Sequence, residues 1–558
     1  MYSSITHRPE AIAEKKLFLP VGFFSIATRD LTSNDLVVMA SVFFIVFTNK
    51  AFFSNVLQTY PLDLANTLFL VSLVTFFTCA NIVVLSLICF RVTIKPVLIT
   101  LLMLSSMAAY FMDNYNIVVS EEMIDNTLNT DTREIVDLLS LKQIAYLGML
   151  GILPSVFVYR TTLVFHPIHL AAISRLTLAG VSLLIMTILV LAQGNQYASF
   201  IREHKLLRFY ANPTYYLYSA GRYTRSFFAH SSSRALKQIA LDANIPENQK
   251  QRELIIMVVG ETVRADRLSL NGYQQKTNPL LEKENVFSFT NFWSCGTSTA
   301  ESVPCLFSML DRDNFDRRSA AEMENVLDIL VRSGVNVLWL DNNSDSKGVA
   351  TRIPFLDYRK PSMNSICDSE CRDVGMLSHL QQNIDSYPTG DIFIVLHQMG
   401  NHGPAYYKRY PEEFEKFKPA CKTNQLEKCT DAEISNAYNN AVRYTDYFLA
   451  KTIDLLKNNN SQFETAMFYV SDHGESLGEN GIYLHGLPYI LAPDVQKRVP
   501  VIMWFGENAD GAGVDPVALK NSLNLPFSHD NIFHTILGML EVKTGVYSPE
   551  LDIMYPAN

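Results

Sequence analysis

The sequence predicts an α-helical membrane domain with five spans, followed by a soluble α/β domain with a mostly parallel central sheet. Up to about residue 200, long apolar runs alternate with short charged patches, and several runs approach the roughly 20 apolar residues that a spanning helix needs. Beyond that point the apolar runs are short, β-branched and continuous, which is typical of strands buried on both faces of a parallel sheet. The length of 558 residues also exceeds that of one ordinary domain.

Five segments are long and apolar enough to cross a bilayer, given a lower limit of about 17 residues. They are approximately Leu36–Phe53, Leu64–Phe90, Pro96–Met112, Gln143–Tyr159 and Leu176–Gln196. The first is the weakest, because Lys50 lies near its end and must reach outward to water. A buried helix of a soluble protein is the alternative for any one segment, but five in succession favour a membrane domain.

The placement of lysine and arginine predicts the orientation of the spans, because cytoplasmic loops carry an excess of both. With the N-terminus in the cytoplasm, the basic residues between spans fall mainly on the cytoplasmic side, and five crossings place the chain after about Gln196 outside. The predicted domains are residues 1–196 in the membrane, residues 197–248 as interfacial helices and linker, and residues 249–558 as the external domain. The linker is rich in Tyr, Phe and Arg, which suits a helix in the membrane interface, with an ordinary amphipathic helix as the alternative.

Six of the eight cysteines form three close pairs in the C-terminal half, and they predict an oxidising compartment. The pairs are Cys295 with Cys305, Cys367 with Cys371, and Cys421 with Cys429. Zinc sites are the alternative, but these loops lack the matching Cys/His clusters of zinc fingers. We therefore expect disulfides, which agrees with the location that the charges predict.

Polar residues end the apolar runs of the second half: Glu261, His397, His402, Asp472 and His473. Ligands of parallel sheets bind beyond the carboxyl ends of the strands, so these side chains should converge on one edge. Mixed carboxylate and imidazole ligands favour zinc or manganese over calcium. The alternative is that they are satisfied polar ends of strands.

The segment SCGTSTAESVPC offers a hydroxyl nucleophile among Thr297, Ser298 and Thr299, just before a predicted helix. A helix start can hold a phosphate through its free N–H groups and its dipole. An N-cap is the alternative, but a bridge between Cys295 and Cys305 would clamp the turn, which capping alone does not require. A metal bound to the hydroxyl would favour its deprotonated form.

The external segment 113–142 contains Asn126, Thr130 and Glu134 at successive i, i+4 positions, which lie on one face of a helix. Spacing alone favours a solvated face.

Several motifs together resemble the phosphoethanolamine–lipid A transferases, the group that includes the polymyxin-resistance enzymes, within the alkaline phosphatase/sulfatase superfamily. They are VVGETVRADR, CGTSTAESVPC, DNNSDSKG, LHQMGNHGPAYYKRYP and VSDHGESLGENGIYLHG, preceded by the five spans. The likeness covers nearly the whole chain, and it implies a sulfatase-like fold for the external domain.

The resemblance also implies roles for single residues. The implied Zn²⁺ ligands are Glu261, Asp472, His473 and the nucleophile Thr299, which the CGTxT turn of the family selects over its neighbours. Residues implied at a second metal or at the substrate are His402, His485 and Glu412, while His397 is a supporting residue. Residues implied in substrate binding are Asn343 and Lys347 near the phosphate, with Asn126, Thr130 and Glu134 at lipid head groups, which reverses the solvated-face interpretation.

The implied activity is transfer of phosphoethanolamine from phosphatidylethanolamine to a phosphate of lipid A, through a phosphothreonine-type intermediate. It implies a monomer in the inner membrane of a Gram-negative cell, with a periplasmic catalytic domain and resistance to polymyxin. The alternatives are the same chemistry on an osmoregulated glucan, a core sugar or a glycerol-phosphate polymer, or a non-catalytic sensor of lipid head groups. A nucleic-acid partner is disfavoured, because a net charge of −9 leaves no broad basic surface.

Overall fold

The computed structural model describes residues 31–129, 138–202, 204, 207–229, 236–246, 251–507 and 515–554. Four of its helices are long and apolar enough to cross a membrane: Asn66–Ile88, Ile94–Tyr115, Leu141–Arg160 and Ile168–Ala192. The bent helix pair Ser33–Phe47 and Lys50–Thr59 forms a fifth candidate when counted as one span. The predicted membrane domain of about five spans is therefore confirmed.

The first predicted span is broken rather than straight, and its two helices meet at an angle of 58°. The break falls at Thr48 and Asn49, between the end of the first helix and the start of the second. There the side chain of Asn49 makes hydrogen bonds to backbone groups. Asn49 Nδ2 donates to Phe44 O at 2.9 Å, and Asn49 Oδ1 accepts from the backbone N–H of Asn212 at 2.9 Å. The bend is thus tied to the segment that follows the last span.

Shorter helices surround the ends of the spans on the side of the second domain. They are Glu121–Asn129, Gly194–Arg202 and Thr214–Ala229. The last of these packs back onto the membrane helices, since the Tyr216 hydroxyl is buried 3.1 Å from Ser105 Oγ. It also packs against Glu121–Asn129, which in turn contacts the helix that begins at Thr299.

An eight-stranded sheet organises the second domain. We number its strands in chain order: β1 Arg252–Gly260, β2 Phe287–Trp293, β3 Asn336–Asp341, β4 Phe355–Asp357, β5 Ile392–His397, β6 Phe463–Ser471, β7 Arg498–Phe505 and β8 Phe527–Ser528. The order across the sheet is β8-β2-β7-β6-β1-β5-β3-β4, and only β7 runs antiparallel to its neighbours. The predicted, mostly parallel sheet is confirmed.

Helices cover both faces of this sheet, which explains why the central strands are apolar without alternation. The helices are Thr299–Leu306, Arg317–Ala321, Val326–Arg332, Leu380–Asp385, Asp431–Lys457, Pro516–Ser522 and Ile532–Met539. The residues of β5 are all buried, and the side chains of β1 contribute to two hydrophobic cores, one on each face.

Three disulfides join the predicted pairs, Cys295–Cys305, Cys367–Cys371 and Cys421–Cys429. The first connects the end of β2 to the helix Thr299–Leu306 and so closes the turn between them. The two remaining cysteines, Cys79 and Cys89, are buried in the membrane part.

Candidate active site

Glu261, Asp472 and His473 meet because they follow two adjacent parallel strands. Strand β1 ends at Gly260 and strand β6 ends at Ser471, and these two residues are partners in the sheet register. One potential ligand atom from each of the three side chains lies within 4.8 Å of the others. All three side chains are fully buried. Three of the five residues that were predicted to converge at the carboxyl edge of the sheet thus lie together there.

Backbone hydrogen bonds hold Asp472 in place through one of its two oxygens. Oδ1 accepts from the N–H of Thr262 at 3.1 Å and from the N–H of His473 at 2.7 Å. Oδ2 accepts no hydrogen bond from the described part of the chain, although it is buried. Thr262 adopts a positive φ of 54°, and its carbonyl accepts from the hydroxyl of Tyr438 at 2.6 Å. Asp472 Oδ2 is therefore left facing into the cluster.

The ring of His473 presents an electron pair to the cluster. Its Nδ1 lies 2.9 Å from Gly474 O, which assigns the proton to Nδ1 and leaves Nε2 as an acceptor. Burial lowers the pKa of His473 to about 3, so the ring is neutral at physiological pH. Nε2 lies 3.3 Å from Asp472 Oδ2 and 3.5 Å from Glu261 Oε1.

This geometry fits a metal ion. Electron pairs that face one another in a buried site repel, and a cation between them removes the repulsion. One imidazole nitrogen and two carboxylates are ligands typical of zinc. The hydrogen bond from His473 to a backbone carbonyl is the usual support for a metal-binding histidine.

Thr299 is the hydroxyl that reaches the cluster. It is the first residue of the helix Thr299–Leu306, and its Oγ1 donates to Glu261 Oε2 at 2.9 Å and lies 3.3 Å from His473 Nε2. Thr297 instead donates to Leu487 O at 2.6 Å, and Ser298 occupies the N-cap position. The three candidate hydroxyls thus have three different surroundings, and only that of Thr299 includes the carboxylate and imidazole groups.

A buried histidine holds the turn before Thr299 against strand β6. His529 Nδ1 accepts from the N–H of Cys295 at 3.1 Å, and its Nε2 lies 3.1 Å from Ser471 O. Burial lowers the pKa of His529 to about 4, which keeps the ring neutral and able to make both bonds. His529 was not predicted from the sequence, since nothing near it in the chain marks this long-range contact.

Two further histidines extend the cluster toward its open side. The ring of His485 lies 4.4 Å from that of His473 and 5.6 Å from that of His402, measured between centroids. His485 Nδ1 lies 3.1 Å from Oε2 of the buried Glu475, which fixes the orientation of the His485 ring. A two-stranded hairpin, Ser476–Leu477 with Tyr483–Leu484, returns the chain so that His485 reaches Glu475. Glu475 was not predicted either, although it lies within the segment VSDHGESLGENGIYLHG.

Asn343 bonds the carboxylate of Glu261 in this structure. Its Nδ2 donates to Glu261 Oε2 and to Gln398 O, both at 2.7 Å. Lys347 is partly buried and donates to Ser344 O at 2.9 Å. His397 is buried and pairs through Nδ1 with Asp341 Oδ2 at 2.9 Å, below the cluster at the end of β5.

The other predicted site residues lie farther out or outside the described residues. Glu412 is exposed on the turn Glu412–Phe414, whose Phe414 packs against Tyr444 and Tyr447. Asn126 is partly buried on the helix Glu121–Asn129, which contacts the helix of Thr299. Thr130 and Glu134 fall outside the described residues. The roles of these four residues remain predictions.

Comparison with known proteins gives matches to both halves of the chain. Residues 253–542 match the family model described as Sulfatase, and residues 76–227 match one described as Phosphoethanolamine transferase EptA/EptB. The chain is 42% identical over 526 residues to phosphatidylethanolamine transferase Mcr-1 of Escherichia coli, covering 92% of this chain and 96% of that protein. It is 38% identical over 534 residues to phosphoethanolamine transferase EptA of Escherichia coli K12, covering 93% of this chain and 95% of that protein.

A solved structure is similar over the same extent. The integral membrane lipooligosaccharide phosphoethanolamine transferase A (EptA) of Neisseria meningitidis matches with a TM-score of 0.90 and 33% sequence identity, over 94% of this chain and 99% of that one. The soluble domain of that protein, solved alone, matches with a TM-score of 0.56 and 40% identity, over 58% of this chain and 98% of that one. The chain therefore belongs to the family of membrane-bound phosphoethanolamine transferases, enzymes with a sulfatase-like catalytic domain.

Proposed function

We propose that the chain transfers phosphoethanolamine from phosphatidylethanolamine to a phosphate of lipid A, with Thr299 as the nucleophile. The observation that supports this most directly is the position of Thr299 Oγ1, which is buried 2.9 Å from Glu261 Oε2 and 3.3 Å from His473 Nε2. Mcr-1 is named a phosphatidylethanolamine transferase and EptA a phosphoethanolamine transferase, and both match more than nine-tenths of this chain.

In the first step, Thr299 Oγ1 attacks the phosphorus of phosphatidylethanolamine. Glu261 Oε2 already accepts the hydroxyl hydrogen bond and is placed to take the proton. A new P–O bond forms at Thr299 while the bond to the diacylglycerol oxygen breaks, so diacylglycerol leaves with a proton and phosphoethanolamine stays on the threonine. In the second step, an oxygen of a protonated lipid A phosphate attacks the same phosphorus, and Thr299 leaves and takes up the proton that this phosphate releases.

Negative charge on the phosphoryl oxygens has to be balanced in both steps. His402 and His485 lie beside the cluster, where their rings would contact the phosphoryl oxygens, and Glu475 would orient His485 through its contact with Nδ1. We assign Lys347 to the same task. Alternatively, the two histidines and Glu412 bind a second metal ion instead of contacting the substrate directly.

Glu261, Asp472, His473 and Thr299 would hold Zn²⁺ between them. When bound, the ion would favour the deprotonated form of the Thr299 hydroxyl and neutralise charge on the phosphoryl group. The orphaned oxygen of Asp472 and the unprotonated nitrogen of His473 support this assignment.

We further propose that the enzyme works as a monomer in the inner membrane of a Gram-negative cell, with a cytoplasmic N-terminus and a periplasmic catalytic domain. The spans and the three disulfides support this location. Each transferred group adds an amine to lipid A and lowers its net negative charge. Cationic peptides such as polymyxin would then bind the outer membrane more weakly.

Mass spectrometry of lipid A tests the proposal. Cells that express the protein should carry lipid A with an added phosphoethanolamine, and cells that express Thr299→Ala at the same level should not. Unchanged lipid A with a modified glucan or core sugar would assign another acceptor. A well-folded protein that releases no diacylglycerol from phosphatidylethanolamine would instead be a non-catalytic head-group sensor.

A further inference from the structure

A loop of the catalytic domain, residues 487–492, lies against the ends of the membrane helices. The apolar cluster that joins them consists of Val118, Leu487 and Ala492, with Phe209 and Tyr210 packed against it. Val118 lies just beyond the span Ile94–Tyr115, and the Tyr210 hydroxyl donates to Asn116 O at 3.1 Å. The loop is therefore at the level where this span ends.

The tip of the loop exposes an apolar side chain at that level. Ile490 is 85% exposed, more than any other large apolar side chain of the catalytic domain among the residues described after 251. Its neighbour Leu487 is buried in the cluster. An isoleucine on a turn that touches the membrane segment gains free energy if it enters lipid instead of water.

Cations stacked on aromatic rings flank the tip. The guanidinium of Arg312 lies 3.5 Å from the ring centroid of Tyr489, and Lys497 Nζ lies 5.2 Å from the same ring. Arg208 stacks on Phe209 at 5.3 Å. Aromatic rings and long cationic side chains next to an apolar tip are typical of segments in the membrane interface.

The charges at this site suit zwitterionic lipids. Arg312 lies 3.6 Å from Asp313, and Lys497 lies 3.3 Å from Asp494. Carboxylates beside cations match head groups that carry a phosphate and an amine, whereas a purely basic patch would select anionic lipids.

The loop is also bonded to the turn that carries the nucleophile. Thr297 Oγ1 donates to Leu487 O at 2.6 Å, and the N–H of Gly486 donates to Thr297 O at 2.8 Å. Thr297 precedes Thr299 by only two positions. We infer that the loop 487–492 inserts Ile490 into the lipid leaflet beneath the catalytic domain and thereby sets the height of Thr299 relative to the lipid phosphates. The second part of this inference rests on the proposed function, but the insertion itself does not.

Tryptophan fluorescence of the full chain in phosphatidylethanolamine/phosphatidylglycerol nanodiscs tests the insertion. The probe is Ile490→Trp, and the control is Ser461→Trp, at an exposed position before β6 and therefore at the sheet edge opposite to Asp472. Each variant adds the emission of one tryptophan to that of the three native tryptophans. This added emission is measured once in ordinary lipids and once in lipids brominated on the acyl chains. Brominated lipids should quench the added emission of Ile490→Trp and not that of Ser461→Trp. Quenching of both variants by aqueous iodide alone would overturn the inference.

Diacylglycerol release tests the consequence for catalysis, with Ile490→Asp and Ile490→Leu as the variants. Release from bilayer phosphatidylethanolamine should fall about tenfold in Ile490→Asp and stay unchanged in Ile490→Leu. A tenfold loss corresponds to part of the free energy gained by burying one isoleucine side chain in lipid. Release from a short-chain, detergent-soluble donor should be the same in all three proteins. Equal losses on both donors would contradict the height-setting role. Absence of release by the unmodified protein would defeat the proposed function and leave the fluorescence result intact.

Discussion

Replacing Asn343 with alanine separates two roles for this residue, support of a ligand and contact with substrate phosphate. The side-chain Nδ2 of Asn343 donates two hydrogen bonds inside the protein, to Glu261 Oε2 and to Gln398 O, each 2.7 Å long. The Asn343→Ala variant removes both of them. We expect weaker Zn²⁺ binding, because Glu261 loses a donor that fixes the direction of its carboxylate.

The size of the effect follows from the charge on Glu261. A hydrogen bond to a charged group contributes about 1.5–3 kcal/mol, which corresponds to a loss of roughly 10- to 150-fold in Zn²⁺ affinity if the whole contribution acts on binding. Partners of metal ligands change metal affinity by roughly 10- to 100-fold, which agrees with this range. The variant should also melt at a lower temperature, because Gln398 O loses a buried hydrogen bond.

The neighbouring Asn342 provides a matched control. It is equally buried, and its Nδ2 donates to Cys371 O at 3.0 Å and to Asp373 Oδ1 at 2.7 Å. The Asn342→Ala variant therefore loses two buried hydrogen bonds of the same kind without touching Glu261. Its melting temperature should fall to a similar extent, whereas its Zn²⁺ affinity should change much less.

Competition with a chromogenic chelator measures Zn²⁺ affinity, and diacylglycerol release at saturating Zn²⁺ measures activity. The supporting role predicts that excess Zn²⁺ restores much of the activity of Asn343→Ala. Normal Zn²⁺ affinity with a raised KM for phosphatidylethanolamine would refute the reasoning and assign Asn343 to the substrate phosphate, as the family resemblance implies.

Three other predictions follow from single contacts. The Glu475→Gln variant keeps a side chain of the same size next to His485 but removes its charge. Its kcat should therefore fall roughly tenfold or more, with little change in melting temperature. An unchanged kcat would exclude Glu475 from orienting His485. Burial gives His529 a pKa of about 4 in the folded protein, below its unfolded value of 6.5. As the pH falls, the unfolded chain therefore gains a proton at this residue before the folded chain does. The free energy of unfolding should drop by about 3 kcal/mol between roughly pH 6.5 and pH 4. Melting temperatures of the protein and of His529→Asn across that range check this, and parallel curves would contradict it. Replacing Cys295 and Cys305 together with alanine opens a loop of sequence separation 10 and should cost about 2–3 kcal/mol. Activity should fall more than in the Cys421/Cys429 double variant, because only the first bridge closes the turn before Thr299, and equal activity in the two variants would refute that role.

The local sequence pattern was sufficient to predict the central strands and the residues of the central cluster. Apolar runs marked the central strands, and in a parallel sheet the residue after each strand must lie at the same edge, so Glu261 and Asp472 could be placed together. The choice of Thr299 among three hydroxyls came from the resemblance. In the structure the reason is visible, since Thr297 is bonded to Leu487 O and only Thr299 turns toward the carboxylates.

Contacts between distant parts of the chain were beyond sequence reasoning. The bend at Asn49 depends on Asn212, and the clamp on Cys295 depends on His529, and neither pair shares a periodic pattern. The resemblance assigned Asn343 to the substrate phosphate, and the sequence gives no indication that its amide also reaches Glu261. Such pairings are set by how the elements pack, which one chain without its relatives does not reveal.

Trapping the covalent intermediate tests the central claim most directly. The protein is incubated with phosphatidylethanolamine and no lipid A, quenched in acid and digested, and the peptide that contains Thr299 is analysed by tandem mass spectrometry. We predict one added phosphoethanolamine on Thr299, which disappears when lipid A is supplied and is absent from Thr299→Ala. Modification of a different residue, or normal diacylglycerol release by Thr299→Ala, would contradict the account.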